Sequence, residues 1–194
     1  FFHRYLDPAE SLGEILFGLI MVLTCTLGAG VISSTDRAEA RALLLAAVGC
    51  NLAWGVIDGL FYVLGQVFER GRMLRLRLKI LGTGSPGEAR ALVAGELDEL
   101  LTNVTEEEQR RSLYDAVVQR MRSDPVPLNR LHKDDVLGGL VAGMLVFACS
   151  LPAILPFLFI DDPRLALRVS NVLLLTLLFF VGHRFARDTM AKPW

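Results

Sequence analysis

The sequence is poor in the residues that soluble chemistry uses. Only three histidines, three cysteines, three tyrosines and two tryptophans occur among 194 residues. No histidine pair has metal-ligand spacing, so a zinc-type site finds no support. The cysteines, Cys25, Cys50 and Cys149, are odd in number and lie in apolar runs. That excludes a disulfide framework and fits buried small hydrophobes. No nucleophile–base pairing, phosphate loop or dinucleotide fingerprint is present, so an enzyme is not expected and no tightly bound cofactor is implied. There is also no basic face with interleaved aromatics, so nucleic acid is excluded as a partner.

Charge is present but segregated. Residues 69–133 hold twelve of the twenty Lys and Arg and ten of the twenty-one Asp and Glu. The flanks are long apolar runs, and the mean hydropathy is +0.45. This pattern excludes an ordinary soluble domain and predicts an all-α integral membrane protein in contact with a lipid bilayer.

A span needs about 20 apolar residues. Four stretches qualify: Leu12 to Ile32, Leu43 to Phe68, Val136 to Ile160 and Leu165 to Phe185. The first follows an acidic stretch and lacks a small-residue cleavage site, so it is expected to be a span and not a signal peptide. The chain begins at Phe1, which suits a fragment of a longer protein. Ser33 to Arg41 is expected as a polar turn, and Asp161-Asp162-Pro163-Arg164 as a tight acidic hairpin. The expected organisation is spans one and two within 1–68, a cytoplasmic helical module at 69–135, and spans three and four within 136–194.

In the module, Ser85-Pro86-Gly87-Glu88 and Thr105-Glu106-Glu107-Glu108 read as capping boxes. Ala89, Leu92, Val93, Leu97, Leu100 and Leu101 recur at helical spacing, as do Leu113, Ala116, Val117 and Met121. Asp124-Pro125-Val126-Pro127 ends the second helix. Pro152 and Pro156 are expected to kink span three. Arg70, Arg72, Arg75, Arg77 and Lys79 follow span two, and Arg184, Arg187 and Lys192 follow span four. The excess of basic residues predicts that the N-terminus, the module and the C-terminal segment are cytoplasmic. The same basic run suits anionic lipid. Arg outnumbers Lys seventeen to three, which fits a GC-rich bacterial genome and an inner-membrane location.

Ionisable groups inside a span are costly and mark pathways. Glu14 lies just inside span one. Asp58 lies about ten residues, or ~15 Å of helix, inside span two. Steps of three and four group Glu14, Gly18, Met21, Cys25 and Gly28 on one face. They likewise group Asn51, Gly55, Asp58, Tyr62, Gly65 and Glu69. Gly18, Gly55, Gly59 and Gly65 are expected to let helices pack closely. Oxygen beside thioether and thiol groups suits Fe(II) or Mn(II) better than Ca(II) or Mg(II). On the residues alone, Met21 is more simply core filler. The acids Glu96, Asp98, Glu99 and Glu106 to Glu108 are more simply a solvated face and a helix N-terminus.

These residues resemble the vacuolar iron transporter family of divalent-metal/proton exchangers. Glu14-Ile15-Leu16-Phe17-Gly18-Leu19, with Leu23-Thr24 after it, is similar to the family's span-one opening. Asp58-Gly59-Leu60 with Gly65, Leu151-Pro152-Ala153-Ile154-Leu155-Pro156-Phe157, and Gly182 are similar to segments of its later spans. The resemblance implies a homodimer with the ion path at its two-fold interface, metal capture by the module, and exchange of Fe2+ or Mn2+ against protons. It makes Glu14, Met21, Cys25, Asn51, Asp58 and Tyr62 pathway candidates and Glu96, Glu99 and Glu107 capture candidates. Met21 stands where the family has an intramembrane Asp, Tyr62 where it has a Met, and the helix leaving span two is basic where the family's is acidic. The family's fifth span is absent, and Ala191-Lys192-Pro193-Trp194 resembles the lead-in to it. The alternative reading is a non-transporting scaffold or metal sensor acting through the module. A weaker one is a proton channel using Asp58 and Glu14.

Overall fold

A computed structural model describes residues 8–32 and 37–188. The expected turn residues 33–36 and the segment 191–194 lie outside the described residues. Those described form α1 (Pro8–Ile32), α2 (Arg37–Gly82), α3 (Pro86–Leu101), α4 (Glu107–Ser123), α5 (Lys133–Ala148), α6 (Leu151–Phe159) and α7 (Pro163–Asp188). No strand occurs among them. Four helical stretches, Pro8–Gly28, Arg41–Gly82, Lys133–Phe159 and Pro163–Asp188, are long and apolar enough to cross a membrane.

Residues 37–41, expected in a turn, already belong to α2. At its other end α2 runs past Phe68 to Gly82, so the basic run is helical and continuous with span two. Nothing in 69–82 is a helix breaker except Gly71 and Gly82, and an interior glycine costs only about 1 kcal/mol.

The chain divides into two compact units, one of residues 1–64 and 132–194 and one of residues 65–131. The first is cored by Leu19, Val22 and Leu23 of α1, Ala47 of α2, Cys149 beside α6, Ala153 of α6 and Leu174 of α7. Its outer faces are apolar: Leu60, Phe61, Phe179 and Phe180 are exposed. In water such faces are liabilities, whereas hydrocarbon solvates them.

Span three is two helices. It breaks at Cys149–Ser150, before Pro152, and Pro156 remains inside α6. Pro152 has no N–H to offer the carbonyl four residues back, so the ladder ends there. The Ser150 amide and hydroxyl both return to the Phe147 carbonyl, at 3.0 and 2.7 Å. The Ser150 groups at the break are thus bonded within the chain. Ser170 Oγ of α7 donates to the Ala153 carbonyl at 3.0 Å and ties α7 to α6.

The second unit packs the end of α2 with α3 and α4 around Ile80, Ala89, Val93, Tyr114 and Val118. Leu100, at 71% exposure, and Leu113, at 41%, fall outside this core despite their spacing. The apolar face of α4 is centred on Tyr114 and Val118; of the expected residues Val117 and Met121 pack against this core, while Leu113 and Ala116 are exposed. Ser85 is the N-cap of α3 with Pro86 behind it, but its side chain makes no capping bond. In α4 the cap is Glu106, not Thr105; the Glu106 amide donates to Gln109 Oε1 at 3.3 Å. Thr105 Oγ1 turns back to the Leu101 carbonyl at 2.8 Å instead.

The arginines of the basic run serve this unit internally. Arg77 Nε donates to the Met121 carbonyl at 2.9 Å, and its Nη2 donates to the Asp124 carbonyl, so one guanidinium caps the C-terminus of α4. Arg70 Nη2 reaches the Arg130 carbonyl at 3.3 Å, and Asn129 Nδ2 reaches the Val67 carbonyl at 3.2 Å. Arg75 lies 5.6 Å over the Phe68 ring.

Candidate functional site

Three helices of the first unit are locked at one residue. Asn51 is fully buried, and its Nδ2 donates to the Gly18 carbonyl of α1 and the Val146 carbonyl of α5, each at 3.2 Å. One turn away the Trp54 ring meets Phe17 edge-on, with centroids 5.6 Å apart. Around this lock the glycines set the helix spacing. A Cβ at Gly18 would come within 2.9 Å of the Val146 carbonyl oxygen. One at Gly55 would lie 2.5 Å from the Gly143 oxygen, and one at Gly59 would lie 2.6 Å from the Gly139 oxygen. The backbones of α2 and α5 therefore touch through two reciprocal glycine pairs. Gly65, expected to pack like the others, has nothing within 4 Å of a Cβ placed on it.

With the helices held so, α1 and α2 flank a cleft of about 380 Å³ lined by Glu10, Gly13, Glu14, Phe17, Asp58, Phe61 and Tyr62. Its residues follow helical steps on both sides: 10, 13, 14 and 17 on α1, and 58, 61 and 62 on α2. Three carboxylates share it, and Glu14 lies within electrostatic reach of both Asp58 and Glu10. Asp58 Oδ2 is shielded from solvent and has no hydrogen-bond partner among the described residues. The Tyr62 ring packs against the backbone of Gly138 in α5.

The expected pathway residues are thus divided. Glu14, Asp58 and Tyr62 meet in the cleft. Asn51 is the lock between α1, α2 and α5. Met21 and Cys25 are half-buried further along α1 and do not line the cleft. Cys25 packs against the core containing Ala47 and lies beside Cys50. The cleft also contains Glu10, which is not among the pathway residues expected from the sequence. Its position four residues before Glu14 was the available signal, since i and i+4 share a helix face.

In the second unit, the capture candidates are engaged with arginines or separate. Glu96 pairs with Arg72 at 2.9 Å, Glu107 pairs with Arg111, and Glu99 is exposed. Asp98 accepts a short hydrogen bond from the Tyr114 hydroxyl. That bond raises the Tyr114 pKa above its usual value, since a neighbouring carboxylate favours the neutral phenol. Among the described residues no group of three or more His, Cys, Asp or Glu is arranged to hold a metal ion.

Fold and cleft together define a class: an all-helical chain with four membrane-length apolar helices, compatible with a multi-pass membrane protein. Comparison with protein-family models, with curated proteins and with solved structures gives no match.

Proposed function

We propose that the chain is one protomer of a homodimeric membrane transporter that moves a divalent transition metal, Fe2+ or Mn2+, in exchange for protons through the α1–α2 cleft. The observation that carries this reading is the gathering of Glu10, Glu14 and Asp58 between apolar helices. Carboxylates in such a place must be neutralised by cations or by protons. That requirement is the chemistry of an exchanger. Ionised, the cleft attracts a divalent cation from one side; protonated, it releases the cation to the other. Among the described residues of one copy no three such donors are arranged closely enough to hold a metal ion, and a second copy across a two-fold axis would complete the set. The excess of Arg on the module side favours a cytoplasmic mouth, with the module inside a bacterial cell.

The test is uptake of Fe(II) or Mn(II) into proteoliposomes with a pH dye inside. Wild type is expected to couple metal uptake to internal acid loss, and Asp58→Asn and Glu14→Gln to lose at least ~90% of it, as for removal of a pathway charge. Undiminished exchange in both variants overturns the cleft as the path. No exchange by the wild-type protein favours the second reading, a scaffold or sensor acting through the module. The pairing of Glu96 and Glu107 with arginines supports that second reading, because acids so engaged act as structural ties.

A further inference from the structure

A groove of about 400 Å³ runs along the seam of α2 and α5, and none of its residues lines the α1–α2 cleft. Every residue that lines it is apolar or glycine. Its floor is the two reciprocal glycine pairs, where the backbones of the two helices touch. Its walls are exposed side chains, Val56 and Leu60 on α2 and Leu140 and Met144 on α5. It extends from Leu52 to Val63 on α2 and from Val136 to Phe147 on α5. Each of these stretches of helix is about 18 Å long. Spread over that length, the volume gives a section of about 22 Å². A helix with its side chains, about 10 Å across, has a section of about 80 Å². A helix can therefore lay only a ridge of side chains on the groove, whereas a single extended hydrocarbon chain fits within it.

The groove ends at a charge. Lys133 opens α5 and the membrane-length stretch Lys133–Phe159. Steps of three and four carry it along one helix face to Val136, Leu140, Met144 and Phe147, all of them groove residues. It stands one turn, ~4.5 Å, beyond Val136, is exposed, and makes no ion pair among the described residues. The acids of that turn are placed elsewhere. Asp134 shares its face with Leu137, which does not line the groove. Asp135 is buried and accepts a hydrogen bond from the His132 amide at 2.8 Å. We infer that the α2–α5 groove binds one anionic phospholipid of the bilayer, with an acyl chain along the glycine floor and the headgroup phosphate on Lys133. The chain gains dispersion contacts with backbone that no side chain covers. The lysine at the end of the groove adds a charge-assisted bond and favours a headgroup of net negative charge. The site stands or falls independently of metal–proton exchange in the cleft.

The experiment uses the whole chain in mild detergent, stripped of lipid. It is titrated with phosphatidylglycerol or with phosphatidylcholine of the same acyl chains, and bound lipid is counted by native mass spectrometry. Wild type is expected to hold one phosphatidylglycerol per chain and to bind phosphatidylcholine about five-fold more weakly, the attraction of one lysine to an anionic headgroup. Lys133→Gln is expected to bind both lipids alike. Val56→Trp combined with Leu140→Trp fills the groove from both walls and is expected to lose the tight phosphatidylglycerol while eluting as the same assembly. Lys133→Gln changes an exposed side chain, so it carries the test where the filled variant does not fold. Failure of the wild type to prefer phosphatidylglycerol, or an undiminished preference in either variant, overturns the site. A filled variant that elutes as a smaller assembly seats a second copy in the groove and overturns the lipid site as well.

Discussion

At Asn51 one carboxamide donates to two helix backbones, the Gly18 and Val146 carbonyls, while its own Oδ1 has no partner among the described residues. Both carbonyls belong to helical ladders, so Asn51→Leu removes two added bonds and also one unsatisfied oxygen. Interhelical side-chain bonds inside membranes contribute about 0.6 kcal/mol each, rarely above ~1.7. The expected loss is therefore about 1 kcal/mol, read as a lower midpoint in detergent-driven unfolding. An unchanged midpoint would mean that apolar packing alone holds α1 to α2 and α5. Tyr114 offers a second test in the other unit. Its folded-state pKa is raised by the Asp98 bond, so its contribution to stability is fully present below the unfolded value near 10. That contribution is lost as pH rises through the folded value. Tyr114→Phe is expected to be less stable than wild type at neutral pH, with the difference shrinking above about pH 10. Parallel melting curves of the two proteins at every pH would show that the hydroxyl does not couple to folding.

Among the elements, α2 and α5 pack backbone to backbone because Gly55 and Gly59 face Gly143 and Gly139. Gly59→Leu drives a side chain into the Gly139 carbonyl, and overpacking of this kind costs about 1–3 kcal/mol. Gly65→Leu meets open space and gains helix propensity, so it is expected to be neutral or slightly stabilising. Unfolding midpoints of the two variants side by side test the assignment, which fails if they shift alike. These two glycines also mark what the sequence carried and what it did not. Helical periodicity placed Gly55, Asp58, Tyr62 and Gly65 on one stripe, and the four apolar runs stood out by length alone. A stripe has width, however, and periodicity along one helix does not say which neighbour each position meets. Gly55 therefore went to α5, Asp58 to the cleft beside α1, and Gly65 to neither. The partner glycines, Gly139 and Gly143, were visible at four-residue spacing but had no meaning until paired with Gly55 and Gly59. The same limit explains Arg77. As part of a basic run it read as a membrane-side charge, and only the path of α4 shows that it caps a helix end. Capping of carbonyls by a half-buried cation contributes about 1–2 kcal/mol.

For the whole molecule, the number of crossings decides which surfaces share a compartment. Four membrane-length helices place one crossing between the charged residues 69–131 and the acidic turn at Asp161–Asp162. If all four cross, that turn and residues 69–131 come out on opposite faces of the bilayer, and the orientation proposed from the excess of Arg puts residues 69–131 in the cytoplasm. The break at Cys149–Ser150 makes this worth testing, because α5 alone has 16 residues and α6 only nine. At 1.5 Å per residue neither alone reaches across the ~30 Å of hydrocarbon, and together they do. If span three instead dips in and returns, Asp162 comes out on the same side as the module. The three native cysteines would be replaced by serine, and single cysteines introduced as Glu107→Cys and Asp162→Cys. A maleimide that does not cross membranes is then added to intact cells. Labelling is expected at Asp162→Cys in intact cells and at Glu107→Cys only after lysis. Labelling of both in intact cells, or of neither, would convert span three from a crossing to a re-entrant hairpin and leave an odd number of crossings in the chain.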